Sequence, residues 1–237
     1  MKKLYQFIFI AFSLMLPYLL VAQKSNSIDT LRNAQTIESK KFLNESTHND
    51  FYLITSSAFG LKKKQAYYKN SLLLYNGFEF GVTDNFSLGV SSFIPFFYNL
   101  STKVNKSLSK KVHIAGGLNF IYAVEPLEET NTIARIIQPY IVTTFGNKDK
   151  NFTIGGRNFF GKFALTVGGQ LRLSEHFSLV TDNLLTFSTY AGKTHVNATL
   201  SGGVRYMKKR FTFDAGFLPG VWFENAGIPI LSATFFF

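Results

Sequence analysis

In the stretch Phe211-Thr212-Phe213-Asp214-Ala215-Gly216-Phe217, apolar residues hold every second place and small or polar ones the places between. A period of two puts the sets on opposite faces of an extended strand. Counting outward by twos finds the same texture elsewhere. Phe86, Leu88 and Val90 alternate with Ser87, Gly89 and Ser91; Phe152 and Ile154 with Thr153, Gly155 and Arg157; Phe177 and Leu179 with Ser178 and Asp182. From residue 51 to residue 237 the chain reads as segments of about ten residues with this period, which predicts an all-β domain.

The breaks between segments alternate in character. Five are short turns, at 83–85, 107–111, 146–151, 174–176 and 207–210; six are looser, at 59–70, 95–100, 125–132, 159–162, 186–195 and 218–227. Together they join about twelve strands and put both ends of the domain on the short-turn side. An even strand number, tight turns on one side and longer loops on the other are the habits of an antiparallel transmembrane β-barrel of the outer membrane, with the turns and termini periplasmic. The alternation alone also fits a secreted sandwich. Aromatic belts separate the two, because lipid interfaces collect aromatics at two heights. Phe86, Phe152, Phe177, Phe211 and Phe237 sit next to the short turns, whereas Tyr67, Tyr68, Phe96, Phe97, Tyr98, Tyr122, Phe160, Trp222 and Phe223 lie near the looser breaks.

The first residues agree with export. Lys2 and Lys3, an apolar stretch to Leu20 and then Ala22 before Gln23 have the anatomy of a signal peptide over residues 1–22, cut after Ala22 or kept as an anchor. Residues 23–50 are polar without a period and read as a periplasmic tail or plug; residues 51–237 read as the barrel. Without Lys2 and Lys3, 23 basic residues face 14 acidic ones, a charge of +9. With 27 Phe and 11 Tyr and an exported chain, nucleic acid is excluded as a partner, and outer-membrane lipids and lipopolysaccharide phosphates are expected instead. There is no cysteine, hence no disulfide, thiol catalysis, thiolate metal site or acylated anchor.

Two tracts carry a resemblance. Leu231, Ala233, Phe235 and Phe237, alternating up to a terminal aromatic, resemble the assembly signal of outer-membrane β-barrels, which implies the barrel-assembly machinery as a partner. Phe59-Gly60-Leu61-Lys62-Lys63, Tyr67-Tyr68, Asn70 and Gly81-Val82-Thr83-Asp84-Asn85-Phe86-Ser87 resemble a family of small uncharacterised Gram-negative outer-membrane β-barrel proteins. The resemblance spans residues 51–237 and implies fold and compartment, with no activity to carry over.

Chemistry-bearing motifs are few. Gly156, Arg157, Asn158, Phe159, Phe160, Gly161 and Lys162 match the first seven places of a phosphate-binding loop, but Phe163 stands where a hydroxyl residue is needed, and the flanks read as strands, so a tight hairpin is expected. His48, His113, His176 and His195 lack metal-ligand spacing. No catalytic residue, metal site or cofactor is assigned, and the chain is read as not an enzyme, a membrane hydrolase being a residual class. Lys62, Lys63 and Lys64 in the first long loop, and Lys110, Lys111, Lys208, Lys209 and Arg210 in turns, are solvated charge or contacts to lipid phosphates. The inward phase collects Glu79, Arg157, Arg172, Asp182, Arg205 and Asp214, with Asn119, His113 and Gln170. Three Arg against three carboxylates should pair and brace the lumen, with Asp214 opposite Gly203 and diagonal to Arg205. The expectation is a closed or low-conductance structural or interaction barrel without strong anion preference; the alternative is a passive porin-like channel for small hydrophilic solutes.

Overall fold

The computed structural model describes residues 50–93, 97–124, 133–159, 161–190, 193–218 and 228–237. The expected signal peptide, the polar tail up to residue 49, His48, Phe96, Phe160, Trp222, Phe223 and the breaks at 125–132 and 219–227 lie outside the described residues.

The strands are β1 (Ala66–Ser71), β2 (Tyr75–Thr83), β3 (Phe86–Phe93), β4 (Phe97–Ser109), β5 (Val112–Val124), β6 (Ile133–Gly146), β7 (Lys150–Phe159), β8 (Lys162–Arg172), β9 (Phe177–Tyr190), β10 (Lys193–Thr199), β11 (Gly202–Lys208), β12 (Phe211–Leu218) and β13 (Ile228–Phe236). Each pairs antiparallel with its neighbour, and β13 returns to β1, so the sheet closes. β10 and β11 are one stave: both pair with β9 in a continuous register, Thr199 with Leu184 and Gly202 with Thr181. The barrel therefore has twelve staves. Closure leaves no edge, so every wall backbone group can pair within the sheet, as a span through hydrocarbon requires.

The two faces are inverted relative to a water-soluble protein. Val90, Val104, Ile137 and Ile141 are each more than half exposed on the outside. On the inside Ser87, Thr144, Thr153, Thr166, Ser178, Thr212, Asp214 and Thr234 are buried. An apolar exterior on every stave has no solvent but lipid, and the chain is a transmembrane β-barrel of the outer-membrane type.

What fills the bore is not wall alone. Residues 50–61 enter the lumen as a small hairpin: Phe51 bridges to Ser56, Tyr52 N donates to Thr55 O at 2.9 Å, and Ser57 N donates to Asp50 O at 3.0 Å. Tyr52 and Leu53 pack against Val180, and Ala58 against Ala115, Tyr140 and Val142. Val180 breaks the polar phase of β9 because it meets this segment. Gly168 lies directly under the Tyr52 ring, where a Cβ would come within 2.7 Å of it.

Several sequence expectations are corrected. The residues before 59 do not form the first stave; they lie inside the barrel. The break expected at 59–70 contains β1, and the true connection is the tight turn 72–74, in which Leu72 and Leu73 have φ of 52° and 62°. Two successive positive φ values make a type I′ turn, normally marked by Asn-Gly rather than leucines. Lys62, Lys63 and Lys64 consequently lie at the short-turn end, where Lys63 N donates to Asp84 Oδ1 at 3.0 Å, not in an outer loop. β9 runs on to Tyr190 and β10 resumes at Lys193, so the break at 186–195 shrinks to two residues. Of the six connections at the far end, only β5–β6 and β12–β13 exceed three residues. Tyr67 and Phe97 face the lumen rather than an outer girdle: Tyr67 is buried with its hydroxyl on Glu79, and Phe97 lines the bore. The segment Gly156 to Lys162 is the expected hairpin, with Phe159 paired to Lys162 and Gly161 at φ 79°.

Val167 and Gly168 lie side by side on opposite faces of β8, Val167 toward lipid. Val167→Arg is expected to lower folding stability in lipid vesicles by about 2–4 kcal/mol. Gly168→Arg should leave the barrel closed but dislodge Tyr52. Equilibrium unfolding in vesicles and protease access to residues 50–61 measure the two effects; equal unfolding losses would contradict the facing.

Candidate functional site

The site is the bore where the inserted segment meets the wall. A non-helical segment in a barrel cannot pair its backbone with itself alone, and each buried orphan N–H or C=O is costly. Here the wall supplies partners, mostly charged ones. Lys103 Nζ donates to Asp50 O at 3.0 Å, Arg205 Nη1 to Phe51 O at 3.1 Å, Arg205 Nη2 to Tyr52 O at 2.9 Å and Lys69 Nζ to Leu53 O at 3.1 Å. Four consecutive carbonyls are thus capped by cations. On the donor side, Ile54 N and Thr55 N both reach Asp182 Oδ2 at 2.6 Å, Thr55 Oγ1 reaches Asp182 Oδ1 at 2.5 Å, and Ala58 N reaches Thr144 Oγ1 at 2.8 Å. The Tyr52 hydroxyl ends on Asn151 Oδ1 at 2.7 Å and Thr153 Oγ1 at 2.5 Å. Lys69 also stands over the Phe51 ring, 4.3 Å from its centroid.

The six inward charges read from the sequence occupy distinct places. Arg205 and Asp214 form a fully buried bidentate pair, Nε to Oδ1 at 2.7 Å and Nη2 to Oδ2 at 3.0 Å, while Arg205 Nη1 also donates to Gln170 Oε1 at 3.1 Å. They stand directly opposite, not diagonal: the turn holds only Lys209 and Arg210, so Lys208 pairs with Phe211 and Gly203 with Gly216. Asp182 is taken by the inserted segment. Glu79 accepts from the Tyr67 hydroxyl at 2.7 Å and from Ser87 Oγ at 2.5 Å. Arg172 leaves the bore for Asp149 in a turn, Nη1 to Oδ1 at 2.8 Å, and for the carbonyls of Ser174 and Glu175. Arg157 stands 5.8 Å from the Tyr140 ring centroid. The expected mutual pairing of three Arg with three carboxylates is therefore corrected to one such pair. The expected charge balance is corrected as well, since Lys69 and Lys103 are buried in the lumen and were missed.

Of the aromatics beside the short turns, Phe152, Phe177 and Phe237 are exposed, and Phe86 and Phe211 are half-buried. Phe211 and Phe235 have ring centroids 5.1 Å apart. Leu231, Ala233 and Phe235 share the outward face of β13, and Phe237 N donates to Ala66 O at 2.9 Å, closing the barrel on its first stave.

The inserted segment divides the bore. Toward the loop end lies a polar cavity of about 160 Å³, lined among others by Lys69, Glu79, Lys103, Gln138 and Arg157. Toward the turn end lies a vestibule of about 620 Å³, reaching Lys62, Asp84, Lys110, His113 and Lys148. Asp50 stands at the root of the hairpin, buried beside Lys103. Burial, and then the Glu79 carboxylate, push its carboxyl up from 3.8 to about 6 against the pull of Lys103.

No protein-family model and no curated protein matches the chain. Among solved structures it is similar to a doubly substituted OccD1 (OprD), at a TM-score of 0.40 and 10% identity over 69% of this chain and 59% of that one. It is also similar to OccAB3 of Acinetobacter baumannii, at 0.39 and 10% over 69% and 54%. The chain spans less than two thirds of either relative, and its barrel is established by the closed strand order, not by these likenesses.

Two outcomes are expected. Asp214→Ala strands Arg205 in the bore and should destabilise the protein by roughly 3–5 kcal/mol in vesicle unfolding. Between pH 3.8 and about 6 Asp50 keeps a proton in the docked hairpin that it releases when undocked in water. Docking is therefore strongest below pH 3.8 and weakens as pH rises through about 6. Protease protection of residues 50–61 should be greater at acidic than at neutral pH, and Asp50→Asn should flatten that dependence. Protection that rises with pH would contradict the assignment.

Proposed function

We propose that the chain is a porin-like outer-membrane barrel for small hydrophilic solutes whose path is interrupted by residues 50–61, so that it conducts little as it stands. The observation that carries this reading is the pair of polar cavities, about 160 Å³ and about 620 Å³, lying on either side of one inserted segment inside a single closed barrel. Eight staves can be filled by side chains and sixteen leave a channel; twelve lie between, wide enough to hold the segment with polar space on both sides of it. The segment is joined to its surroundings there only by hydrogen bonds and packing, which can part without breaking the wall.

A structural or interaction barrel is the second reading, favoured by the density of charged contacts that fix the segment. In both, the short-turn end and Phe237 face the periplasm, and the rim cations meet lipid phosphates. No enzymatic role enters either reading.

Single-channel recording in a planar bilayer tests the choice. The unaltered protein should show small or rare conductance steps, and deletion of residues 50–61 should produce steady, larger ones. An equally silent deletion variant, shown to be folded by its faster migration when unheated, would favour the structural barrel. Recovery of the unaltered protein from the soluble periplasm, rather than the outer membrane, would contradict both.

A further inference from the structure

We propose that the loop-end cavity is a binding site for a small oxyanion, a carboxylate or a phosphate group, held chiefly by Arg157, Gln138 and Lys103. The inference deepens the channel reading and rests on it in one respect, that solute reaches the bore.

The wall that builds the cavity is regular. Ser101, Asn119 and Gln138 stand side by side in one row across β4, β5 and β6, and Lys103, Gly117, Tyr140 and Arg157 in the next row across β4 to β7. Both rows point inward. Gly117 carries no side chain, and Tyr140 leans over it; on the other staves Gly77, Gly89 and Ser101 line the space. What remains is a hollow of about 160 Å³, roughly ten times the least volume that holds one water.

The unpartnered buried side-chain atoms of this lining are two donors, on Gln138 and Arg157, and one acceptor, Asn99 Oδ1. Gln138 is 95% buried, being 5% exposed, and its Nε2 has no partner. Arg157 Nε is likewise buried without one; the guanidinium has the Tyr140 ring beside it, and the charge of Asp182, which is engaged by the inserted segment, acts on it without a hydrogen bond. Lys103 uses one of its three N–H groups on Asp50 O. The lining carries Lys69, Lys103 and Arg157 with one carboxylate, Glu79, whose oxygens already accept from Tyr67 and Ser87; Asp50, buried beside Lys103 with its carboxyl pushed up, adjoins the lining without belonging to it. Buried donors without acceptors are costly, and crowding three cations into one hollow adds to that cost. A ligand that accepts hydrogen bonds and carries negative charge removes both. Arg157, with a planar fork of donors, suits two oxygens of one group. A neutral amide of the same shape supplies a single acceptor oxygen and no charge, so the site discriminates against it.

The experiment uses the full-length protein in detergent micelles, with isothermal titration by acetate, inorganic phosphate and acetamide. Acetate, phosphate or both should bind and acetamide should not; the one that binds more tightly identifies the oxyanion. Arg157→Gln should weaken binding by about tenfold or more, the loss expected for a charge-assisted hydrogen bond. Gln138→Glu, which sets a carboxylate against the ligand, should weaken it at least as much. Slower gel migration after heating shows that each variant is folded, and the second variant serves if the first is not. Absence of anion binding by the unaltered protein, equal binding of acetamide, or undiminished affinity in folded Arg157→Gln and Gln138→Glu would overturn the proposal. Failure of the channel reading is distinct: acetate would bind as described while the protein lacking residues 50–61 stayed silent in the bilayer.

Discussion

The structure turns on how a strip of irregular backbone is accommodated inside a membrane barrel. A lumen segment brings N–H and C=O groups that have lost water, and the wall can offer only side chains, because its own backbone is committed to the closed ladder. Arg205, Lys69, Lys103 and Asp182 supply that need. Each is a charge that would be expensive in the bore by itself, and each is stabilised by the carbonyls or amides it caps, which is the condition under which buried charge is tolerated. Arg205 does this while bound to Asp214, so the same guanidinium braces β11 to β12 and caps Phe51 and Tyr52. Barrel and segment are thereby one cooperative unit at this point.

Much of the wall could be read from two-residue counting, because lipid outside and a filled lumen inside punish any slip of phase. Ser87, Thr153, Ser178, Thr212 and Asp214 lie on the inner face for that reason, and the short turns at 84–85, 110–111 and 209–210 fall where polar punctuation breaks the period. The first stave was not legible. β1 is only six residues long and ends in a turn built on leucines, which carry no turn signal, while residues 51–59 have the apolar content of a strand without being one. An apolar run buried inside a barrel looks the same in sequence as one facing lipid.

The electrostatics of the bore differ from the sequence count for two separate reasons. With 59–70 taken as a loop, Lys69 leaves the lumen; Lys103 falls within the strand expected between the breaks at 95–100 and 107–111 but outside the inward count. The six remaining charges balance in number, which suggested mutual pairing. In the structure the balance is broken by two ammonium groups, and carboxylates that were to meet arginines meet hydroxyls and backbone amides instead. Charge counts along a strand predict a face, but partners depend on the third body in the bore, which no alternation reveals.

The inner face in turn carries marks of that third body. Val180 interrupts a polar phase and packs on Leu53; Gly168 lies beneath the Tyr52 ring, and Gly216 beneath Leu53, where a Cβ would stand 3.2 Å from its Cδ1. In an empty channel these positions would gain nothing from being apolar or bare. Further toward the loop end, by contrast, Gly77, Gly89 and Ser101 line a hollow that the segment borders without filling, and Gln138 and Arg157 leave donors unpartnered there. One set of small residues is explained by protein already present, the other by a hollow whose chemistry calls for an acceptor from outside. That difference, within one barrel and one register, is what separates the part of the lumen built for closure from the part built for a ligand.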